Sequence, residues 1–269
     1  MNRISNCFLF AALAGALTAC GPSADKQGAD QAIRFDKSSA EWHSPGCAAD
    51  SSKCLNMSVS YPVAGGEPAE IARLINDSIQ FRVRNSMDVF AVEPGATPPS
   101  MDSIASGLIR EYEDQLRESP DYSLPWEVAV SGEVLSNTEK WASVSIGTYS
   151  YMGGAHPNSF VSLLNFDLSS GKTLSLEDIT ADMNKLKALV QVKFREVRNL
   201  MDGQDFDETD FFWGQGFTLP ENFALGNEGL YFFYNPYEVA SYASGPTEFT
   251  IPYDHLGGIL KPEWIKTQK

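Results

Sequence analysis

Residues 126–167 constrain the fold most, because three stretches of alternating apolar and polar residues follow one another there with reversal signals between them. Val128 and Val130 alternate within 126–135, Val144 and Ile146 within 141–151, and a third apolar stretch fills 160–167. Ser136-Asn137-Thr138 and Met152-Gly153-Gly154-Ala155 stand where the chain must turn back, and Gly153 and Gly154 tolerate the positive φ that a tight hairpin requires. The expected arrangement is an antiparallel meander. A sheet with one apolar face needs a cover, and three segments with apolar residues every three or four positions can supply it. They are 68–89, opened by Pro68 and striped by Ile71, Ile75, Ile79 and Val83; 101–118, with Ile104, Leu108 and Tyr112; and 181–201, with Leu186, Val190, Phe194 and Val197. The three prolines of 93–100 separate the first two. Strands at 57–63, 173–176, 222–225, 230–234 and 249–251 complete the pattern. The expected class is α+β, with helices packed on antiparallel β-sheet in two subdomains.

The first twenty residues read as a lipoprotein signal. Arg3 gives a weakly basic start, 7–17 is an apolar core too short to span a bilayer, and Leu17-Thr18-Ala19 precede Cys20. The expectation is cleavage before Cys20, a lipidated Cys20 as membrane anchor, and an extracytoplasmic location. With Gly21 rather than Asp after the cysteine, the periplasmic face of an outer membrane is favoured if the cell is Gram-negative. The alternative is an ordinary secretory signal that happens to hold a cysteine. Residues 20–34 are small, polar or charged and are expected to form a flexible tether. The two regions expected beyond it are 35–148 and 149–262, followed by a short tail at 263–269.

The net charge is −15, and removing 1–19 takes away only Arg3 among the charged residues. So acidic a chain repels phosphate backbones, which argues against nucleic acid and would steer a cationic protein toward it; acidity that merely maintains solubility is the plain alternative. Of the four cysteines, Cys7 leaves with the signal and Cys20 carries lipid. Cys47 and Cys54 remain and are expected to form a local disulfide, the alternative being zinc, for which only His43 lies nearby.

No nucleophile elbow, zinc-protease motif or phosphate loop is present, so no catalytic residue, metal or cofactor is assigned. His156, between two tyrosines and a turn, is either a hydrogen-bonded hairpin histidine or a base acting with Glu238 or Asp254. Candidate ligand-binding residues are Tyr149, Tyr151, Gly153, Gly154, His156, Tyr234, Tyr237, Glu238 and Tyr242, whose rings could stack on sugar faces. The acids of 202–210 miss the spacing of a calcium loop. With the aromatic run that follows, Asp205, Asp207, Asp210, Phe211, Phe212 and Trp213 form a candidate protein-contact loop.

The segment 149–158, the phrases Phe166-Asp167-Leu168 and Leu174-Ser175-Leu176-Glu177-Asp178, and the stretches 230–243 and 249–253 together resemble the DUF3298 family. Val59-Ser60-Tyr61-Pro62 and the helix holding Ile75-Asn76 are similar to the DUF4163 region that usually precedes it. The family includes the extracellular half of an RsiV-type anti-sigma factor, which binds lysozyme, and the amino-terminal part of a PdaC-type peptidoglycan deacetylase, whose chemistry lies in a separate domain. The resemblance implies a non-catalytic binding or sensing module near peptidoglycan. Its expected partner is a cationic envelope protein such as lysozyme, or else peptidoglycan itself, with the membrane reached through the lipid.

Overall fold

The computed structural model describes residues 33–88, 99–120, 124–201 and 203–265. Its larger sheet has five strands in the order β1 (Ile33–His43), β2 (Leu55–Gly66), β3 (Trp126–Asn137), β4 (Trp141–Met152) and β5 (Asn158–Asp167). The meander of β3, β4 and β5 is antiparallel as expected, with a bulge between Val134 and Ser136. β2 and β3 pair in parallel, so the sheet is mixed. Parallel neighbours need a long crossover, and α1 (Ala69–Met87) and α2 (Met101–Glu118) lie between the two strands in the chain.

Helical spacing determines what these two helices bury. α1 turns Ala72, Ile75, Ile79, Val83 and Met87 inward, and α2 does the same with Ile104, Ala105, Leu108 and Tyr112. Ser100 caps α2 by accepting the Ser103 N–H at 3.2 Å. The other half of this core comes from strand alternation, which points Val128, Val130, Val144 and Ile146 at the helices.

A second sheet has the order β6 (Phe223–Leu225), β7 (Gly229–Tyr234) and β8 (Thr247–Pro252), all antiparallel. α3 (Leu176–Ile179) is a single turn held by a capping box between Ser175 and Asp178, and α4 (Met183–Val197) begins where Asp182 accepts the Lys185 N–H at 3.0 Å. Leu186, Val190 and Phe194 of α4 meet Leu230, Phe232 and Tyr234 of β7 in a second core. The described residues nonetheless form one compact unit, and the boundary expected at 148/149 falls inside β4.

Three elements differ from expectation. β1 was not anticipated, and it begins inside the expected tether, since Ile33 is 2 % exposed and packs in the first core. Its sequence, Ile-Arg-Phe-Asp-Lys-Ser-Ser-Ala-Glu-Trp-His, is rich in the charges that protect an edge strand and so mask its strand character. The strand expected at 173–176 shrinks to one bridge, Phe166 to Thr173, because the capping box at Ser175 starts a helix there. The helix expected at 181–201 is shorter at both ends, delayed by the Asp182 cap and closed before Asn199, whose φ is 53°.

The signal segment, Cys20 and most of the expected tether lie outside the described residues. Among the described residues no helix is long and apolar enough to cross a membrane. Cys47 and Cys54 form a disulfide across the loop joining β1 to β2, which fits an oxidising, extracytoplasmic compartment. Replacing both cysteines by serine should lower the unfolding free energy measured in urea by about 2 to 3 kcal/mol, with no further loss on adding reductant. An unchanged urea midpoint would refute the staple.

Candidate ligand-binding site

The β4–β5 hairpin carries His156 at its tip, and Gly153, at φ 76°, makes the turn possible. Facing it is the loop between β7 and β8, pinned at its start by Asn235. That amide accepts the Val161 N–H at 2.7 Å and donates to the Val161 carbonyl at 2.9 Å, so it continues the edge of β5 as a strand would. Glu238 folds back to accept the Asn235 N–H at 2.8 Å. Desolvation of this carboxyl, with the charge of Glu221, raises its pKa above the ordinary value, while the Asn235 bond works the other way.

These two loops bring His156, Tyr237 and Tyr242 together. His156 stacks on Tyr242 with ring centroids 3.9 Å apart and planes within 15°, and Tyr237 lies 5.8 Å from Tyr242. The Pro157 carbonyl, 2.9 Å from His156 Nδ1, can only accept, so Nδ1 carries the proton. Nε2 lies 3.4 Å from the Tyr237 hydroxyl, within hydrogen-bonding reach. Tyr237 is 49 % exposed and sits at φ 67°, a strained conformation for a non-glycine residue that turns its ring outward. The arrangement is an exposed aromatic platform with hydrogen-bonding edges.

The remaining candidates scatter. Tyr149 and Tyr151 are half-buried on β4 and share one face by strand alternation, while Gly154 is an exposed hairpin residue. Tyr234 is not a ligand-facing residue. It is fully buried in the second core, and its hydroxyl donates to the Thr218 carbonyl at 2.8 Å. Strand alternation explains the correction, for Leu230, Phe232 and Tyr234 face α4 whereas Tyr231 and Phe233 face the other way. Phe212 is likewise core, 4 % exposed and 5.0 Å from Phe194, and Phe211 packs partly beside it. Only Trp213 of that run is exposed, at 57 %, and the exposed Asp205 and Asp210 precede it in the chain. Asp207 belongs to the 3-10 turn Phe206–Glu208, and its side chain lies outside the described set.

One site was not anticipated. The outward face of β7 and one face of β3, β4 and β5 together line a cavity of about 430 Å³. Leu135, Val161, Leu163, Ala224, Tyr231 and Phe233 give it an apolar surface. At its rim the Tyr231 hydroxyl donates to Glu248, and burial followed by that bond pushes the phenol well above its ordinary range. The sequence signal that could have found it is Gly229, the first residue of β7. A Cβ on Gly229 would lie 2.1 Å from the Ile251 carbonyl oxygen, so only glycine lets this turn close on β8 and wall the cavity. No group of three or more His, Cys, Asp or Glu side chains able to hold a metal occurs among the described residues.

Residues 176–254 match the family model described as "Protein of unknown function (DUF3298)", and residues 48–159 match that described as "Deacetylase PdaC". The peptidoglycan-N-acetylmuramic acid deacetylase PdaC of Bacillus subtilis is 24 % identical over 208 residues, covering 74 % of this chain. The match spans 43 % of that relative's own length. The immunogenic protein MPT64 of Mycobacterium tuberculosis is 25 % identical over 162 residues, covering 56 % of this chain and 69 % of the relative. Crystal structures of DUF3298 proteins from Bacteroides fragilis and Pseudomonas aeruginosa share the fold at TM-scores of 0.67 and 0.62, each 20 % identical. They cover 86 % and 90 % of this chain, and 94 % and 100 % of their own.

The far end of the loop bearing Tyr237 and Tyr242 is clamped by one cation. Arg198 donates from Nε to Thr247 Oγ1 at 2.7 Å and from its two terminal nitrogens to the carbonyls of Ser244, Gly245 and Pro246 at 2.8 to 3.0 Å. Its guanidinium also lies 5.1 Å from the Phe211 ring centre. Arg198→Ala leaves those half-buried acceptors without their donor and should cost about 1 to 3 kcal/mol. Limited proteolysis should then cut first within 235–246, and an unchanged cleavage pattern would contradict the clamp.

Proposed function

The chain carries a DUF3298 domain preceded by a PdaC-type region, and on that premise we propose that it is a non-catalytic extracytoplasmic module that binds cell-wall glycan through His156, Tyr237 and Tyr242. The observation that carries this reading is the convergence of these three rings from two separate loops onto an exposed platform. Pyranose rings present apolar C–H faces edged by hydroxyls, and an aromatic face bordered by phenol and imidazole edges complements both features. The similarity to a deacetylase named for peptidoglycan N-acetylmuramic acid supports the same class of polymer. The roles of the His156 nitrogens support binding over proton transfer, since one is directed to a backbone carbonyl and the other to a phenol. Lipidation at Cys20 would hold this module at a membrane beside the wall.

A second reading, capture of a cationic envelope protein such as lysozyme, is favoured by Trp213, exposed at φ 54° shortly after an acidic stretch on a chain of net charge −15.

Co-sedimentation with insoluble peptidoglycan tests the first reading. The native protein should pellet, and the Tyr237→Ala/Tyr242→Ala variant should bind at least about tenfold more weakly, or ~1.4 kcal/mol. If native protein stays in the supernatant, glycan binding is wrong. For the second reading, calorimetric titration with lysozyme should give heat that falls as salt is raised and is reduced in Trp213→Ala. No heat at low salt would eliminate it.

A further inference from the structure

We propose that the cavity between the two sheets binds a compact apolar group carrying a cationic nitrogen. This site is distinct from the aromatic platform, and its chemistry follows from what lines it. The volume, about 430 Å³, lies in the range of small-ligand pockets. Leu163, Ala224 and Phe233 form a small apolar cluster of their own where the sheets converge, and Leu135, Val161 and Tyr231 pack against it. These side chains offer an apolar body both aliphatic contact and ring faces.

Polar groups then fix the sign of the ligand's charge. Ser145 points into the cavity from β4, and among the described residues its hydroxyl has no hydrogen-bond partner. Glu228, on the β6–β7 turn, is the only charged residue in the lining, and its carboxylate has no ion-pair partner among the described residues. Glu248 adds a second negative charge behind the Tyr231 hydroxyl. With no lysine or arginine in the lining, a carboxylate or phosphate ligand meets only repulsion. An ammonium group is attracted by Glu228 and by the faces of Tyr231 and Phe233, while its apolar body displaces water from Leu163 and Val161.

Such a group could arrive as a free amine or as adjacent aromatic and lysine side chains of a peptide. Both offer the same chemistry. The test is a methyl NMR titration of the full chain with three probes: phenethylammonium, its anionic counterpart phenylacetate, and the blocked peptide acetyl-Gly-Phe-Lys-Gly-amide. The proposal expects saturable shifts at the Leu135, Val161 and Leu163 methyls with phenethylammonium, the peptide or both, and affinity at least about tenfold lower for phenylacetate. Saturation by the free amine alone identifies a small-molecule site, and tighter binding of the peptide identifies a side-chain site.

Glu228→Gln, on an exposed turn, should weaken cation binding roughly two- to fivefold while leaving phenylacetate no weaker than before, since it removes a like charge from the anion's path. Ser145→Leu should fill the cavity and abolish the shifts. If phenylacetate binds as well as the amine, if the shifts map elsewhere, or if no methyl moves up to about 10 mM probe, the proposal is wrong. It is equally wrong if Glu228→Gln, folded as judged by an unchanged methyl spectrum, binds the amine as the native protein does.

Discussion

The side-chain amide of Asn165, only 1 % exposed, joins the two sheets where no strand pairing does. Its oxygen accepts the Leu225 N–H at 2.9 Å and the Ser143 hydroxyl at 2.7 Å, and its nitrogen donates to the Phe223 carbonyl at 2.7 Å. The Leu225 carbonyl in turn receives Ser136 Oγ at 2.6 Å and Trp141 Nε1 at 3.1 Å, with Ser143 Oγ also within reach. Further along β5, Asn222 and Asn235 serve the backbone of Val161 and Leu163 in the same way. An unsatisfied buried amide or carbonyl costs about 1 to 3 kcal/mol, so this network tolerates one geometry and disfavours the rest.

That geometry produces both candidate sites. β5 would otherwise be an open sheet edge, and asparagine side chains satisfy it in place of a paired strand. Between the two sheets lies the cavity lined by Leu163 and Phe233. The same anchoring at Asn235 starts the loop that carries Tyr237 and Tyr242 against the β4–β5 hairpin, so His156 meets its two rings. Arg198 then holds the loop's other end, which fixes the platform between two polar anchors.

How much of this could be read beforehand depended on period. The stripes Ile75-Ile79-Val83 and Leu186-Val190-Phe194 announced their helices, and Val128-Val130 with Val144-Ile146 announced the meander, because burial on one face imposes a period that survives in one dimension. β1 was illegible, since an edge strand pairs on one side and can carry Arg34, Asp36, Lys37 and Glu41. The parallel pairing of β2 with β3 left no local signal, as it depends on two intervening helices. Of the nine candidate ligand-binding residues, His156, Tyr237 and Tyr242 lie together, and nothing in the sequence set these three apart from the rest. Tyr234 and Phe212 were misjudged because aromatic type says nothing about which face of a strand or turn a ring occupies. The cavity escaped notice because it belongs to residues from six strands and one turn, brought together by asparagines whose bonding is entirely long-range.

A buried amide network, more than apolar contact alone, seats the second sheet on the first. Hydrogen exchange of Asn165→Ala against the native protein tests this most directly. The account predicts that amides of β6, β7, β8 and the 235–246 loop lose protection, while those of α1, β1 and β2 keep theirs, because the first core does not rest on Asn165. Uniform loss across both sheets, or no loss at all, would contradict it.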